Sequence, residues 1–130
     1  MKNNLRDIGK IAGRIWKTLD KNGPLIEKDL IKKTRLNQND FFAGVGWLAR
    51  ENKIYRTGQK YELKETNLTN KIGFDAGKIW VILNNQNNLD ISSIAKDANI
   101  RIKDAYSAVG WLAREDKIIN AENQMKYKLK

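Results

Sequence analysis

The chain has 130 residues, with 25 Lys+Arg against 15 Asp+Glu for a net charge of +10, and it contains neither Cys nor His. Without Cys there are no disulfides or thiolate metal sites, and without His the commonest general base, the commonest metal ligand and every Ser-His or Cys-His dyad are gone. With no long apolar run and no signal-peptide pattern, the expectation is a cytoplasmic protein off the membrane, with no cofactor and no metal.

Ile8, Ile11, Ala12, Ile15, Trp16 and Leu19 recur at helical spacing and predict an amphipathic first helix that stops at Asn22-Gly23-Pro24. A short segment, Ile26–Thr34, and Leu36 lead into a longer helix from about Gln38 to Glu51. Ile54-Tyr55-Arg56, a Thr57-Gly58 turn and Tyr61-Glu62-Leu63 predict a β-hairpin, and Glu65–Asn70 is a short linker. A second helix then carries Ile72, Ala76, Ile79, Trp80 and Leu83 and runs into an Asn-rich loop, Asn84–Asn88. Asp90–Ile100 and a helix over Lys103–Glu115 follow, then a hairpin of Ile118–Asn120 and Lys126–Leu129 with two extra loop residues. Asn99 falls at the tight turn between the last two helices, where Asn tolerates φ > 0; Ile31 and Arg35 stand at the earlier counterparts of Ala95 and Asn99, so a different turn is expected there.

The second half repeats the first. GWLARE stands at Gly46–Glu51 and at Gly110–Glu115, an offset of 64. The same offset carries Ile8 to Ile72, Ala12-Gly13 to Ala76-Gly77, Ile15-Trp16 to Ile79-Trp80 and Lys53-Ile54 to Lys117-Ile118 without a gap. We therefore expect two domains, 1–65 and 66–130. Units of about 60 residues are marginally stable alone, so the copies are expected to support each other. Residues 1–65 carry 15 basic and 8 acidic residues, and residues 66–130 carry 10 and 7.

Three helices closed by a hairpin form a winged helix. With Ala-Gly-x-Ile-Trp on the first helix and GWLARE-x-Lys-Ile before the hairpin, each half resembles a family of small prokaryotic winged helix-turn-helix proteins of largely unassigned function. The resemblance implies an α+β class, mainly α with small β-hairpins: two tandem winged helix-turn-helix domains, each of three helices and a β-hairpin wing. Members of that family are typically single units that pair as homodimers. A fused duplicate implies a monomer whose copies pair about a pseudo-twofold axis. DNA binding follows only by analogy with other winged helices.

Two sets of residues are singled out. Base-edge candidates at and along the third helices are Gln38, Asn39, Arg101, Lys103 and Ser107, because Asn and Gln suit adenine and Arg and Lys suit guanine. Phosphate candidates are Arg50 and Arg114 on those helices and Arg56, Lys60, Lys126 and Lys128 on the wings. Asp40 and Asp104 at the helix starts are read as capping and dipole partners. The second set is apolar: Gly9, Gly13 and Trp16 with Gly73, Gly77 and Trp80 on the first helices, and Gly46 and Trp47 with Gly110 and Trp111 on the third. A glycine inside a helix costs about 0.5–1 kcal/mol relative to Ala, so these flanks imply close approach of another element. That approach is either first helix on third within one copy, or copy on copy across the pseudo-twofold. Lys10, Arg14, Lys17 and Lys21 form a basic stripe whose counterparts are Phe74, Lys78, Val81 and Asn85, and Thr18 becomes Ile82. Phe74, Val81 or Ile82 is therefore expected to be covered, by the first copy or by another chain.

The sequence thus points to a non-enzymatic DNA-binding protein of transcription-regulator type. A protein-docking module that uses the winged-helix fold without sequence-specific DNA binding is the alternative. Catalysis is disfavoured by the missing His, Cys and phosphate-binding loop.

Overall fold

A computed structural model describes residues 5–122 and 125–130. Part of the second hairpin's loop, at 123–124, lies outside the described residues. The first half runs α1 (Ile8–Asn22), β1 (Leu25–Ile26), α2 (Glu27–Thr34), α3 (Gln38–Arg50), β2 (Ile54–Thr57) and β3 (Lys60–Leu63). The second runs α4 (Phe74–Asn85), β4 (Leu89–Asp90), α5 (Ile91–Ala98), α6 (Ile102–Arg114), β5 (Ile118–Asn120) and β6 (Lys126–Leu129). A 3₁₀ turn, Leu5–Asp7, leads into α1, and a π-helical turn, Thr69–Gly73, leads into α4. This is a mainly helical α+β chain built as a tandem duplicate.

Each wing is a three-stranded antiparallel sheet, ordered β1-β3-β2 and β4-β6-β5. The hairpin strands were legible from their alternation, but β1 and β4 were not, because two residues carry no periodicity. They exist through pairing: Leu25 lies opposite Tyr61 and Leu89 opposite Tyr127. Tyr61 and Tyr127 are buried beneath the sheets. Burial pushes both phenols up, and for Tyr61 the hydrogen bond it donates to Glu27 Oε1 at 2.7 Å adds to the shift.

The turn of the helix-turn-helix is the same in both halves, contrary to the expectation for the first. Asn99 ends α5 at φ 57°, and Arg35 ends α2 at φ 58°. In each, the amide of the left-handed residue donates to carbonyls three and four residues back, so the helix terminus is satisfied identically. Arg35 adopts a conformation that costs an ordinary side chain roughly 1–2 kcal/mol and costs Asn less. Arg35→Asn should therefore raise the urea midpoint, by somewhat less than about 1 kcal/mol of stability. A lowered midpoint would show that the guanidinium contributes more than the strain removes.

The two halves share their interior. Ile8 of α1 is fully buried in a cluster otherwise built from Ile79, Leu83, Ile94, Val109 and Leu112 of the second half, together with Ala43 of α3. Conversely Ile72, just before α4, and Tyr106 of α6 belong to the cluster of Ile11, Ile15, Leu30, Phe41 and Leu48. The amide of Leu5 also donates to Asn120 Oδ1 on the second wing at 3.0 Å. No helix among the described residues is long and apolar enough to cross a membrane.

Candidate nucleic-acid interface and the seam between the halves

In a winged helix that reads DNA, the exposed flank of the third helix enters the major groove. Here α3 and α6 pack against each other along that flank. In α3 every residue from Asp40 to Gly46 is buried, and in α6 every residue from Ala105 to Gly110. The helices run in the same direction, since position pairs with near-equivalent position along their length. Phe42 meets Lys103 near the N-termini, Gly46 meets Ser107 in the middle, and Arg50 meets Glu115 at the C-termini.

Glycine makes that crossing possible. A Cβ on Gly46 would overlap the Ser107 carbonyl, 2.7 Å from its carbon, and one on Gly110 would do the same to Ala43, also at 2.7 Å. The rest of GWLARE then closes the C-terminal end reciprocally. Arg50 Nε donates to Glu115 Oε2 at 3.0 Å, and Arg114 Nε to Glu51 Oε2 at 2.9 Å. The Arg50 guanidinium lies 5.6 Å from the Trp111 ring centre and that of Arg114 lies 5.8 Å from Trp47. Four half-exposed charges contribute little as separate pairs. Here they also place cations at two helix C-termini that point the same way, offsetting the aligned dipoles.

At the N-terminal end the halves differ. Asn37 caps α3 by accepting from the Asp40 amide at 2.8 Å, and its own amide donates to Asp40 Oδ2 at 3.2 Å. Burial pushes the Asp40 carboxyl up, against the lowering effect of that hydrogen bond. Arg101 provides no side-chain cap to α6, and Asp104 instead pairs with Arg101 and with Lys71, each at 3.6 Å. Lys71 also reaches buried Asp75 at 2.8 Å, and that hydrogen bond raises the ammonium above its ordinary value.

The residues singled out in the sequence are distributed by this geometry. Gln38 and Asn39 are exposed at the start of α3, at the same end of the helix pair as exposed Arg101 and half-buried Lys103. The Lys103 ammonium, however, lies over the Phe42 ring at 5.8 Å. Ser107 is corrected: it is buried at the crossing under Gly46 and cannot present its hydroxyl to a base edge. Arg50 and Arg114 are engaged by Glu115 and Glu51 in the seam, with their side chains still 46% exposed. Arg56 folds back, donating to the Gly58 carbonyl at 2.7 Å and lying 5.5 Å from the Tyr61 ring centre. Its main chain is also tied down by both amide atoms of Asn67 in the linker. Lys60 and Lys126 are exposed on the wings, and Lys128 is half-buried.

The apolar set divides as well. Gly46 and Gly110 lie at the contact between halves, and Trp47 and Trp111 pack against both interior clusters. Gly9 and Gly73 do not lie at that contact: each accommodates the tryptophan of its own half, with a Cβ falling 3.1 Å from Trp47 and 3.2 Å from Trp111. Gly13 and Gly77 meet nothing within 4 Å, and Trp16 and Trp80 stand partly in solvent. The expected cover over the altered stripe is found for one of its three residues: Ile82 is half-buried against the cluster of Ile79, Leu83 and Ile94, which also takes in Ile8 and Ala43 of the first half, whereas Phe74 and Val81 are 67% and 54% exposed.

A winged helix-turn-helix domain family, DUF2582, matches the chain twice, over residues 1–67 and 64–129. The chain belongs to this family. No curated protein and no solved structure matches it. As two DUF2582 units in one chain, it pairs its third helices without a second polypeptide. The sequence marked Gly46, Trp47, Gly110 and Trp111 for a structural contact and left open whether it lay within one copy or between the two; the carbonyls of Ser107 and Ala43 opposite Gly46 and Gly110 put it between them. The basic α1 stripe was visible in the sequence but had no recognised role in a winged helix.

Proposed function

We propose that this DUF2582 tandem is a non-enzymatic DNA-binding protein, of transcription-regulator or architectural type. It acts as an intramolecular pseudo-dimer that holds the phosphate backbone and does not insert a recognition helix. The observation that carries this reading is the division of its positive charge. Arg50, Arg114 and Lys71 are spent on internal carboxylates, whereas a larger number of lysines on the surface are paired with no acid among the described residues. In a winged-helix scaffold with a net charge of +10, that surplus favours a polyanion. Among the described candidates, burial of the α3 and α6 flanks leaves Gln38 and Asn39 exposed and Arg101 exposed but paired with Asp104, so affinity is expected to depend weakly on sequence. The test is a titration of two duplexes of unrelated sequence across salt. Affinities should agree within about threefold, and log K should fall with log salt at a slope near −4 to −6, as for about five or six phosphate contacts. Binding that is flat with salt would refute it.

One observation favours the docking alternative. Phe74, Val81 and Trp80, the last 40% exposed, stand together on α4 where the first half carries Lys10, Lys17 and Trp16. Exposed apolar side chains grouped in this way are characteristic of contact surfaces. On this reading the protein purifies free of nucleic acid, and Phe74→Ser/Val81→Ser abolishes capture of its partner without altering the seam.

A further inference from the structure

We propose that duplex DNA is held on the outward face of α1 and α2 of the first half, with the second half serving as its structural support. This rests on the DNA-binding reading above and assigns the surface. Arg14, Lys17 and Lys21 follow one another along α1, and Lys32, Lys33 and Arg35 occupy the end of α2 beside them. Lys17, Lys21 and Lys33 line one groove between the helices, and Lys32, Lys33 and Arg35 line the next together with Asp29. The Arg14 guanidinium bonds the Thr34 carbonyl, which ties the two rows together. With Lys10 one turn before, the α1 row runs over 12 residues from Lys10 to Lys21, about 16 Å of helix. That length faces several phosphates of a duplex, which carries one charge per roughly 1.7 Å of axis.

Three features separate this face from an ordinary solvated surface. None of these six residues has an ion-pair partner among the described residues; exposed Lys60, Lys96 and Lys126 share that freedom, but here six such cations stand on two adjacent helices, whereas Arg50, Arg101, Arg114 and Lys71 are paired. The charge is confined to one half. Adding Lys10 and Lys28, the face has eight basic residues against Asp20 and Asp29, while the equivalent positions of the second half keep only Lys78 and Lys96 against Asp97. Duplication supplied both faces with the same fold, so the fold does not require the charge. Finally, no aromatic ring lies among the six. Single strands are usually held by stacking bases on such rings, and membrane-surface helices are anchored by apolar ones. A polar surface carrying eight cations against two carboxylates fits the backbone of a duplex.

The test compares the full-length protein with two triple variants that each remove three charges. Lys17→Ala/Lys21→Ala/Lys33→Ala strips the face, and Lys78→Ala/Lys96→Ala/Lys126→Ala strips the second half. Fluorescence anisotropy on a 20-base-pair duplex of arbitrary sequence, at about 0.05–0.2 M salt, reads both affinity and salt slope. Five of the six lysines are exposed and Lys78 is half-buried with its ammonium over the Phe74 ring, so thermal melts check that each variant is folded. The face variant should bind about a hundredfold more weakly at about 0.1 M salt, with a slope shallower by about 2–3, and the second-half variant should change by less than about fivefold. Equal losses in both variants, or no loss in the face variant, would overturn the assignment while leaving DNA binding standing. Tighter binding to the single strand or to duplex RNA of the same sequence would overturn the duplex-DNA assignment. A wild-type protein that binds no duplex at all would instead remove the reading on which the assignment rests.

Discussion

Alanine at Gly46 or Gly110 is expected to be the most destabilising single-methyl change in this protein, while alanine at Gly13 or Gly77 should stabilise it. All four glycines lie within helices, where replacement by alanine normally gains about 0.5–1 kcal/mol. At Gly13 and Gly77 nothing stands within 4 Å of the new methyl group, so that gain should be realised in full. At Gly46 and Gly110 the methyl group would fall on a carbonyl of the opposing helix. Backbone within a helix has no rotamer to change, so α3 and α6 must separate. Separation loosens the contacts of Ala43, Phe42 and Tyr106 together, and overpacking of this kind costs about 3 kcal/mol or more. Urea unfolding of the four variants checks the prediction through the sign of the change. Gly46→Ala with unaltered stability would mean that the helices are not in contact along this flank in solution.

Ile8→Ala is expected to cost about 2–5 kcal/mol and to destabilise the half to which Ile8 does not belong. Ile8 is fully buried in a cluster drawn mainly from side chains of α4, α5 and α6, with Ala43 of α3. A cavity there is therefore opened in the second half's interior by a substitution near the start of the first. Ile72→Ala should act reciprocally on the first half, with a smaller effect because Ile72 retains slight exposure. Because the interiors interlock, unfolding should be one cooperative transition. Hydrogen exchange locates the effect: in Ile8→Ala, the amides of α6 should lose as much protection as those of α1. Loss confined to the first turn of α1, with α6 unchanged, would show that the halves are separately stable.

The same interlocking bears on how the protein could bind anything. A conventional helix-turn-helix presentation would require α3 and α6 to come apart, which exposes Ile8, Phe42, Ala43, Ile72 and Tyr106 at once. Ligands that can use only the separated form must offset that cost, whereas a surface cation such as Lys17 or Lys33 is available without any rearrangement. This is why the outer face of α1 and α2 is a stronger candidate than the helix that the fold would ordinarily nominate.

Much of the architecture was legible in the residues themselves. The 64-residue offset shows the duplication, and 3.6-residue periodicity around Ile8, Ile11 and Ile15 marks α1. Alternation at Tyr61 and Leu63 marks the wing, and Asn99 marks the turn. These signals are local, since each reflects one element's own geometry or its single buried face. Arg35 shows the limit of such reasoning: an unfavourable residue takes the left-handed conformation because the flanking helices of both halves demand the same corner. β1 and β4 show another limit, since two residues become strand only through the partner opposite them.

The sequence by itself determined that there are two like units and that their helices carry glycines at matching positions, an invitation to close packing that Gly13 and Gly77 do not take up. Only the tertiary structure decided what lies against each. Glycine leaves room for a close neighbour without recording which, so Gly9 and Gly73 receive a tryptophan ring of their own half while Gly46 and Gly110 receive a carbonyl of the other. The arginines behave likewise. Arg50, Lys17 and Arg114 carry the same charge in the sequence, but a carboxylate lies 3.0 Å from Arg50 and 2.9 Å from Arg114, while Lys17 has none. Charge is a property of the residue, and whether that charge is free for a ligand depends on which carboxylates the fold brings beside it.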